Sequence, residues 1–302
     1  MSHDELSFVE WLRRHNPRHP AIELGIGDDM GIARTSTGRV LLSSDLILDG
    51  VHFDSRTQSF ERIGRKALAR ALSDCAAMAV KPVAATVSVA LPQELPLGDA
   101  EALYHGLWEA GRQFAVGIIG GDTARWDQRL AVDVVILAEP FEGIEPVTRA
   151  GACVGDRLFV SGKLGGSILG HHLEFTPRIH EAERLAVGLG SRLHAMIDIS
   201  DGLSLDLWRI CQASGVGAEL DETMLAGVVS QAATQLAVRD GRPAVEHVLE
   251  DGEDYELLLA VEGNLEGSPV PLFPVGRVVA DGFLLRESIG AVRAIHPKGF
   301  TH

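Results

Sequence analysis

Cysteine is scarce in this chain of 302 residues: Cys75, Cys153 and Cys211 stand far apart and form no Cys-x-x-Cys pair. That argues against a disulfide framework or a structural zinc site and suits a reducing compartment. Long apolar runs are missing as well. No stretch of eighteen apolar residues exists, so no membrane-spanning helix and no membrane partner are expected. Residues 1–14 are charged and lack the apolar centre of a secretory signal, which makes the cytoplasm the expected location. Basic charge is in deficit, with 27 Lys and Arg against 42 Asp and Glu and a formal net charge of -15. Nucleic acid needs a basic face and is not expected as a partner. Small phosphorylated ligands are still compatible, because divalent cations bind carboxylates and phosphates together.

Several catalytic signatures are absent too. The nearest approach to a phosphate-binding G-x-x-x-x-G-K-[ST] loop, residues 162–167, has the wrong spacing. No protein-kinase set, no G-x-S-x-G and no G-x-G-x-x-G opening a βαβ unit occurs. His171 and His172 are adjacent, so they point differently, and no third residue is spaced to complete a metal site.

What is present is a chain able to build a core, with 46% hydrophobic residues and 33 glycines. Its length suits two domains. Apolar spacing predicts helices over residues 7–14, 60–80, 99–114, 179–189 and 203–213. Strands are predicted over 40–47, 83–91, 116–119, 130–138, 157–161, 196–199, 255–261 and 273–279, the 116–119 strand short, buried and running into Gly120-Gly121. Helix 60–80 carries Ile63, Ala67, Leu68, Ala71, Leu72, Cys75 and Met78 on one face and Arg62, Lys66, Arg70 and Asp74 on another. Mixed elements in both halves indicate an α/β (α+β) fold of two domains, 1–140 and 141–302, joined near residues 138–146.

Acidic residues recur beside glycines and at strand ends. They stand in Gly25-Ile26-Gly27-Asp28-Asp29, Ser43-Ser44-Asp45, Leu72-Ser73-Asp74, Gly120-Gly121-Asp122-Thr123, Asp198-Ile199-Ser200-Asp201-Gly202 and Gly252-Glu253-Asp254-Tyr255. Any one of these reads as a turn or a helix cap. Six in one chain point to convergence. Magnesium takes hard oxygen ligands and shares them with phosphates, and neighbouring glycines let backbone N–H groups approach the phosphates.

In this order the motifs resemble those of the thiamine-monophosphate kinase family, within the aminoimidazole ribonucleotide synthetase-like superfamily. Gly50-Val51-His52-Phe53, Thr148-Arg149-Ala150-Gly151-Ala152 and Asp254-Tyr255-Glu256-Leu257 extend the likeness over nearly the whole chain. The resemblance implies a homodimer centred on paired N-terminal sheets, with ATP as co-substrate, Mg2+ as cofactor and thiamine monophosphate as acceptor. It implies magnesium ligands at Asp28, Asp29, Ser43, Ser44, Asp45, Asp74, Asp122, Asp198 and Asp201, of which Asp45, Asp122 and Asp201 are the expected catalytic set. Nucleotide contacts fall on Gly121, Asp122, Arg149 and Ser200, and acceptor contacts on His52 and Glu253.

Three places depart from the family pattern. Gly166 stands where an acidic residue is usual. The Arg-Pro-x-Pro-Arg element reads Glu174-Phe175-Thr176-Pro177-Arg178. The C-terminal region reads His296-Pro297-Lys298-Gly299-Phe300, without the usual tryptophan. These departures fall on the acceptor side. They leave two alternatives: a related ATP-using enzyme with another phosphorylated acceptor, or a non-catalytic nucleotide and magnesium sensor.

Overall fold

The structure is a computed structural model that describes residues 5–15, 19–265 and 267–300. Part of the charged segment 1–14, residues 1–4, lies outside the described residues. In chain order the first half forms α1 (Glu5–His15), β1 (Ile22–Leu24), β2 (Gly31–Thr35), β3 (Gly38–Leu48), α2 (Phe60–Ala77), β4 (Val80–Pro92), α3 (Leu97–Gln113), β5 (Gly117–Trp126) and β6 (Ala131–Pro140). The strands make one six-stranded sheet in the order β1-β2-β3-β6-β4-β5, antiparallel except for the β4–β5 pair.

The second half forms β7 (Arg157–Val160), α4 (His171–Glu174), α5 (Ile179–Leu189), β8 (Leu193–Asp198), α6 (Leu203–Ser214), β9 (Gly217–Asp221), α7 (Glu222–Ala226), α8 (Gln231–Asp240) and α9 (Ala244–Glu250). The chain ends in β10 (Leu257–Val261), β11 (Phe273–Val279), β12 (Phe283–Arg286) and β13 (Val292–Ala294). Its seven strands run β13-β12-β9-β11-β7-β10-β8, with only the β9–β12 pair parallel.

Strand alternation explains how the layers stack. Phe159, Met196, Leu257 and Leu259 face a core shared with α2, α5 and the first sheet, while Leu158, Val160, Ile197 and Leu258 face α6 on the other side. Helix α2 therefore lies between two sheets. Its apolar face is buried as its spacing predicts, but so is much of its polar face, and Lys66 is completely buried. The Ser59 hydroxyl caps its start by accepting the Arg62 amide. The helix stops at Ala77, earlier than the apolar pattern indicated, because Ala79 turns at φ +50 and the chain enters β4 at once.

Segment 116–119 needs correction. It belongs to a longer strand, β5, that runs through Gly120 and Gly121 and is largely exposed, since β5 pairs only with β4 at the edge of the sheet. Nor does Gly121-Asp122 form a turn. Gly121 sits at φ +154, and a side chain there would run into the Val87 carbonyl of β4. The outer face of the first sheet carries no covering layer among the described residues: Leu42 and Leu46 are exposed, and their neighbours on β6, Val135 and Leu137, are half-buried.

Helices α2 and α3 cross at two glycines. A Cβ on Gly64 would strike the Leu103 carbonyl oxygen, and one on Gly106 the Glu61 carbonyl oxygen. Both obstacles are helix backbone, which cannot swing aside as a side chain can. Gly106→Ala is therefore expected to destabilise the protein by roughly 1–3 kcal/mol, seen as a lower denaturant midpoint at unchanged slope. A parental midpoint would show that the crossing does not need glycine.

Candidate functional site

The acidic cluster is assembled from both halves of the chain. Asp29 precedes β2, Asp74 sits in the last turn of α2 and Asp198 ends β8, and their carboxylate oxygens lie within 4.8 Å of one another. The Ser73 hydroxyl donates to Asp198 at 2.5 Å. Arg149 donates to both oxygens of Asp29, at 2.8 and 3.1 Å, and its backbone amide donates to Asp28. Asp45 projects from β3 with Arg70 of α2 at 3.5 Å, and its second oxygen, Oδ2, is buried without a hydrogen-bond partner, as is the Ser43 hydroxyl oxygen.

These carboxyls strain against their surroundings. Burial, followed by the charges of Asp45 and Asp198, holds Asp74 well above the usual carboxylate range. Burial, then the charge of Asp29, does the same to Asp198. Burial also raises Asp45, although Arg70 opposes it. Asp28 is pushed up to about 6 by burial and by the charge of Asp29. Buried like charges at such spacing call for a cation.

Beside the cluster lies a cavity of about 710 Å³, whose walls include His52, Arg70, Ser200, Asp201, Glu253 and Phe300. The Leu48 amide donates to His52 Nδ1 at 3.0 Å, so a neutral His52 carries its proton on Nε2. Lys66 bridges the wall from inside. Its ammonium lies 2.6 Å from Glu253 and donates to the His52 carbonyl at 2.6 Å, while burial lowers its pKa to about 8. Glu253 and Tyr255 both take positive φ, +63 and +51. The surroundings enforce this backbone: their amides donate to the Ser200 and Ile199 carbonyls, Tyr255 stacks on Phe175 at 3.8 Å, and the Asp254 carboxylate accepts the Gly165 amide and the Ser167 hydroxyl.

The turn after β8 is held by a residue the motif reading passed over. Asp206, in the first turn of α6, accepts the amides of Ser200, Asp201 and Gly202 at 3.0–3.1 Å. Arg209 then joins Asp206 to Asp201, at 2.6 and 2.5 Å. Burial pushes the Asp206 carboxyl up to about 7 despite Arg209. Asp198 and Asp201 thus do not cap α6, which leaves their carboxylates to other partners.

The structure does not bring every expected residue into this cluster. Asp122 is exposed on β5, in register with Ser88, Asp133 and Leu46 across the sheet. Three strand spacings separate β5 from β3, roughly 14 Å at about 4.8 Å each. Ser44 is also exposed and donates to Asp133 at 2.7 Å. Beside Gly121 and Asp122, between β4, β5 and α3, lies a second cavity of about 330 Å³ lined by Val87, Leu103, Tyr104 and Ile118.

Lys66, Arg70, Asp133 and Asp206 were not singled out from the motifs. The first two did carry a signal: they stand at successive fourth positions with Arg62 and Asp74 on one helix face, and no soluble surface awaited that face. The Gly166 departure has a physical basis. Gly166 takes φ +76, and a Cβ there would collide with the backbone of α8 at Ala232 and Ala233, so an acidic side chain has no room. His171 and His172 point to different partners, the Asp254 and Ser167 carbonyls.

Known proteins share this organisation. The model of the AIR synthase related protein N-terminal domain matches residues 27–139, and that of the C-terminal domain matches residues 133–284. Thiamine-monophosphate kinase from Rhodopirellula baltica is 40% identical over 313 aligned residues, covering 99% of this chain and 97% of the relative. The Mycobacterium tuberculosis enzyme of the same name is 33% identical, covering 91% of this chain and 85% of its own. The solved structure of AaThiL complexed with AMPPCP and TMP superposes with a TM-score of 0.85 at 26% identity, covering 99% of this chain and 97% of that one. The two-sheet frame, the ordered acidic motifs and these matches together show that the chain belongs to the AIR synthase-related family, in its thiamine-monophosphate kinase branch.

Proposed function

We propose that this chain transfers the γ-phosphoryl group of ATP to thiamine monophosphate, yielding thiamine diphosphate and ADP. The observation that carries this reading is the group of Asp29, Asp74 and Asp198 oxygens within 4.8 Å, set beside the cavity that holds His52 and Glu253. The relatives' names, and the ATP analogue and TMP named for the solved AaThiL complex, point the same way.

The residues fit magnesium. Their donors are hard oxygens, and both Asp45 Oδ2 and Ser43 Oγ are buried without hydrogen-bond partners. Asp28, Asp29, Ser43, Asp45, Asp74, Asp198 and Asp201 would hold the ions within one chain, whereas Ser44 and Asp122, on the outer face of the first sheet, would reach an ion only where a second chain meets that face. When bound, magnesium supplies charge neutralisation between the two phosphate groups.

The nucleotide would meet Gly121, Asp122, Arg149 and Ser200, with the cavity beside Tyr104 offering apolar walls for a base. The acceptor would meet His52 and Glu253. Its phosphate oxygen is already anionic and needs no general base. That oxygen attacks the γ-phosphorus in line, the bond to the β–γ bridging oxygen breaks, and ADP leaves with the electron pair. The chain's own task is to hold two polyanions in line. The Lys66–Glu253 pair and the Asp206 clasp on residues 200–202 serve that positioning.

The uncovered face of the first sheet fits a second copy of this chain. Ser44, Asp133 and Asp122 share that face, so a homodimer would also complete the surroundings of Asp122. Among the described residues no helix is long and apolar enough to cross a membrane, and action in the cytoplasm agrees with this reading.

Three outcomes test it. ADP release from magnesium-ATP should depend on thiamine monophosphate, with thiamine diphosphate found by chromatography, and Asp45→Asn should lower turnover about 100-fold or more without unfolding. ATP binding without that product would favour a sensor or another acceptor. Asp74→Asn should raise the melting temperature of the chelator-treated protein at alkaline pH. Because the folded pKa of Asp74 is raised, its charge is adverse above that pKa and the cost fades as pH falls, so the gain should shrink on acidification. Magnesium should stabilise the parent more than the variant, and equal stabilisation would remove Asp74 from the ligand set. Leu46→Glu should convert a dimer to a monomer by light scattering, and an unchanged mass would place the interface elsewhere.

A further inference from the structure

Arg70 has a donor that nothing in the protein uses. It lies on α2 one turn from Lys66 and one turn from Asp74, with 13% of its side chain exposed. Its Nη2 reaches Asp45 Oδ1 only at 3.5 Å, and its Nη1 is buried with no hydrogen-bond partner. Arg129 also lines the cavity but is exposed, and the two cations nearer the cluster are engaged. Lys66 is held by Glu253 and the His52 carbonyl, each at 2.6 Å, and Arg149 by both oxygens of Asp29. Arg70 lines the 710 Å³ cavity together with His52 and Glu253, whereas Gly121 and Asp122 line the other one.

A buried N–H left unpaired is costly, more so on a charged group. A ligand oxygen entering this cavity removes that cost, and a guanidinium favours an anionic, polydentate one. The position of Arg70 selects which. It stands where the cavity meets the carboxylate cluster, so an acceptor whose organic part lies toward His52 and Phe300 would bring its phosphate to Arg70. We propose that Arg70 binds the phosphate of the acceptor, donating from Nη1, and thereby sets how deeply the acceptor enters before transfer. This inference rests on the kinase reading given above.

Calorimetric titration in magnesium buffer with thiamine monophosphate and with unphosphorylated thiamine separates the two ideas. The parent is expected to prefer the phosphorylated form. In Arg70→Gln that preference should fall by roughly 10–100-fold, the span of one charged hydrogen bond, while thiamine binding stays as it was. Arg70→Lys should recover part of the preference, which a purely structural role for Arg70 would not predict. If Arg70→Gln does not fold, Arg70→Met, neutral and of similar length, is measured in its place. If neither folds, Arg70→Lys is read alone, and an undiminished preference there overturns the proposal. A folded neutral variant that keeps the parental preference overturns Arg70 and leaves the kinase reading intact. A parent with no preference, or no binding of either compound, overturns the acceptor reading and Arg70 with it.

Discussion

Asp29, Asp74 and Asp198 present oxygens within 4.8 Å of one another, and Asp45 keeps a buried oxygen without a hydrogen-bond partner. Carboxylates in such a space repel one another and have lost their water, so their charge is tolerable only with a cation or a proton. Much of the surrounding structure answers this constraint. Arg149 grips Asp29, Ser73 donates to Asp198, and Arg70 faces Asp45. None of these cancels the excess, which is why the pKa values of Asp45, Asp74 and Asp198 stay raised. A core that held only protein would do better with apolar residues here. Keeping the charges makes physical sense if divalent cations complete them.

The constraint also explains the place of α2. A helix with one apolar stripe would lie on a sheet and leave its polar row in water. Here the His52 and Glu253 loops close over the middle of that row, so Lys66 is buried and Arg70 nearly so, and both must find anions, while Arg62 stays partly exposed and pairs with Glu174. Lys66 finds Glu253, which drags the strained loop 253–255 against the wall of the larger cavity. Arg70 finds Asp45 only loosely. The same helix thus contributes Asp74 to the acidic cluster and braces the cavity a turn or two away, which couples the two regions through one rigid element.

Much of this was legible in the residue order, for reasons that differ by element. The long helices and central strands repeat apolar residues at helix or strand period, and α5 and β11 begin and end where the pattern says. Short β1, β12 and β13 carry three or four residues each and offer no period to read. β5 runs longer than its residue pattern indicates because glycines usually end a strand, whereas Gly121 here allows close approach to Val87. The acidic motifs marked which carboxylates stand beside glycines and strand ends, but not which of them the sheet order brings together. Asp122 lies three strands from β3, and nothing in its Gly-Gly-Asp setting encodes sheet order. Asp206 was hidden because an acid in the first turn of a helix looks like ordinary end chemistry, though it clasps three amides of the preceding turn.

The departures from the family pattern gather on one side of the molecule, and the geometry makes them coherent. Gly166 packs against α8 with no space for a side chain, so position 166 cannot carry an acid. Phe300 stands on the cavity wall, anchored by its amide to the Asp201 carbonyl at 2.8 Å, and offers an aromatic face from the same C-terminal segment in which the family carries tryptophan. Glu174 turns away to pair with Arg62, while Arg178 pairs with Glu256. The carboxylates come from α2, from β3, from the segment before β2 and from the end of β8, so their convergence depends on both halves of the chain. The departures themselves sit in loops, at the end of α4 and in the C-terminal segment, in the surroundings of the larger cavity, where residues can change at little cost to folding. Variation confined to these segments leaves the carboxylate cluster in place.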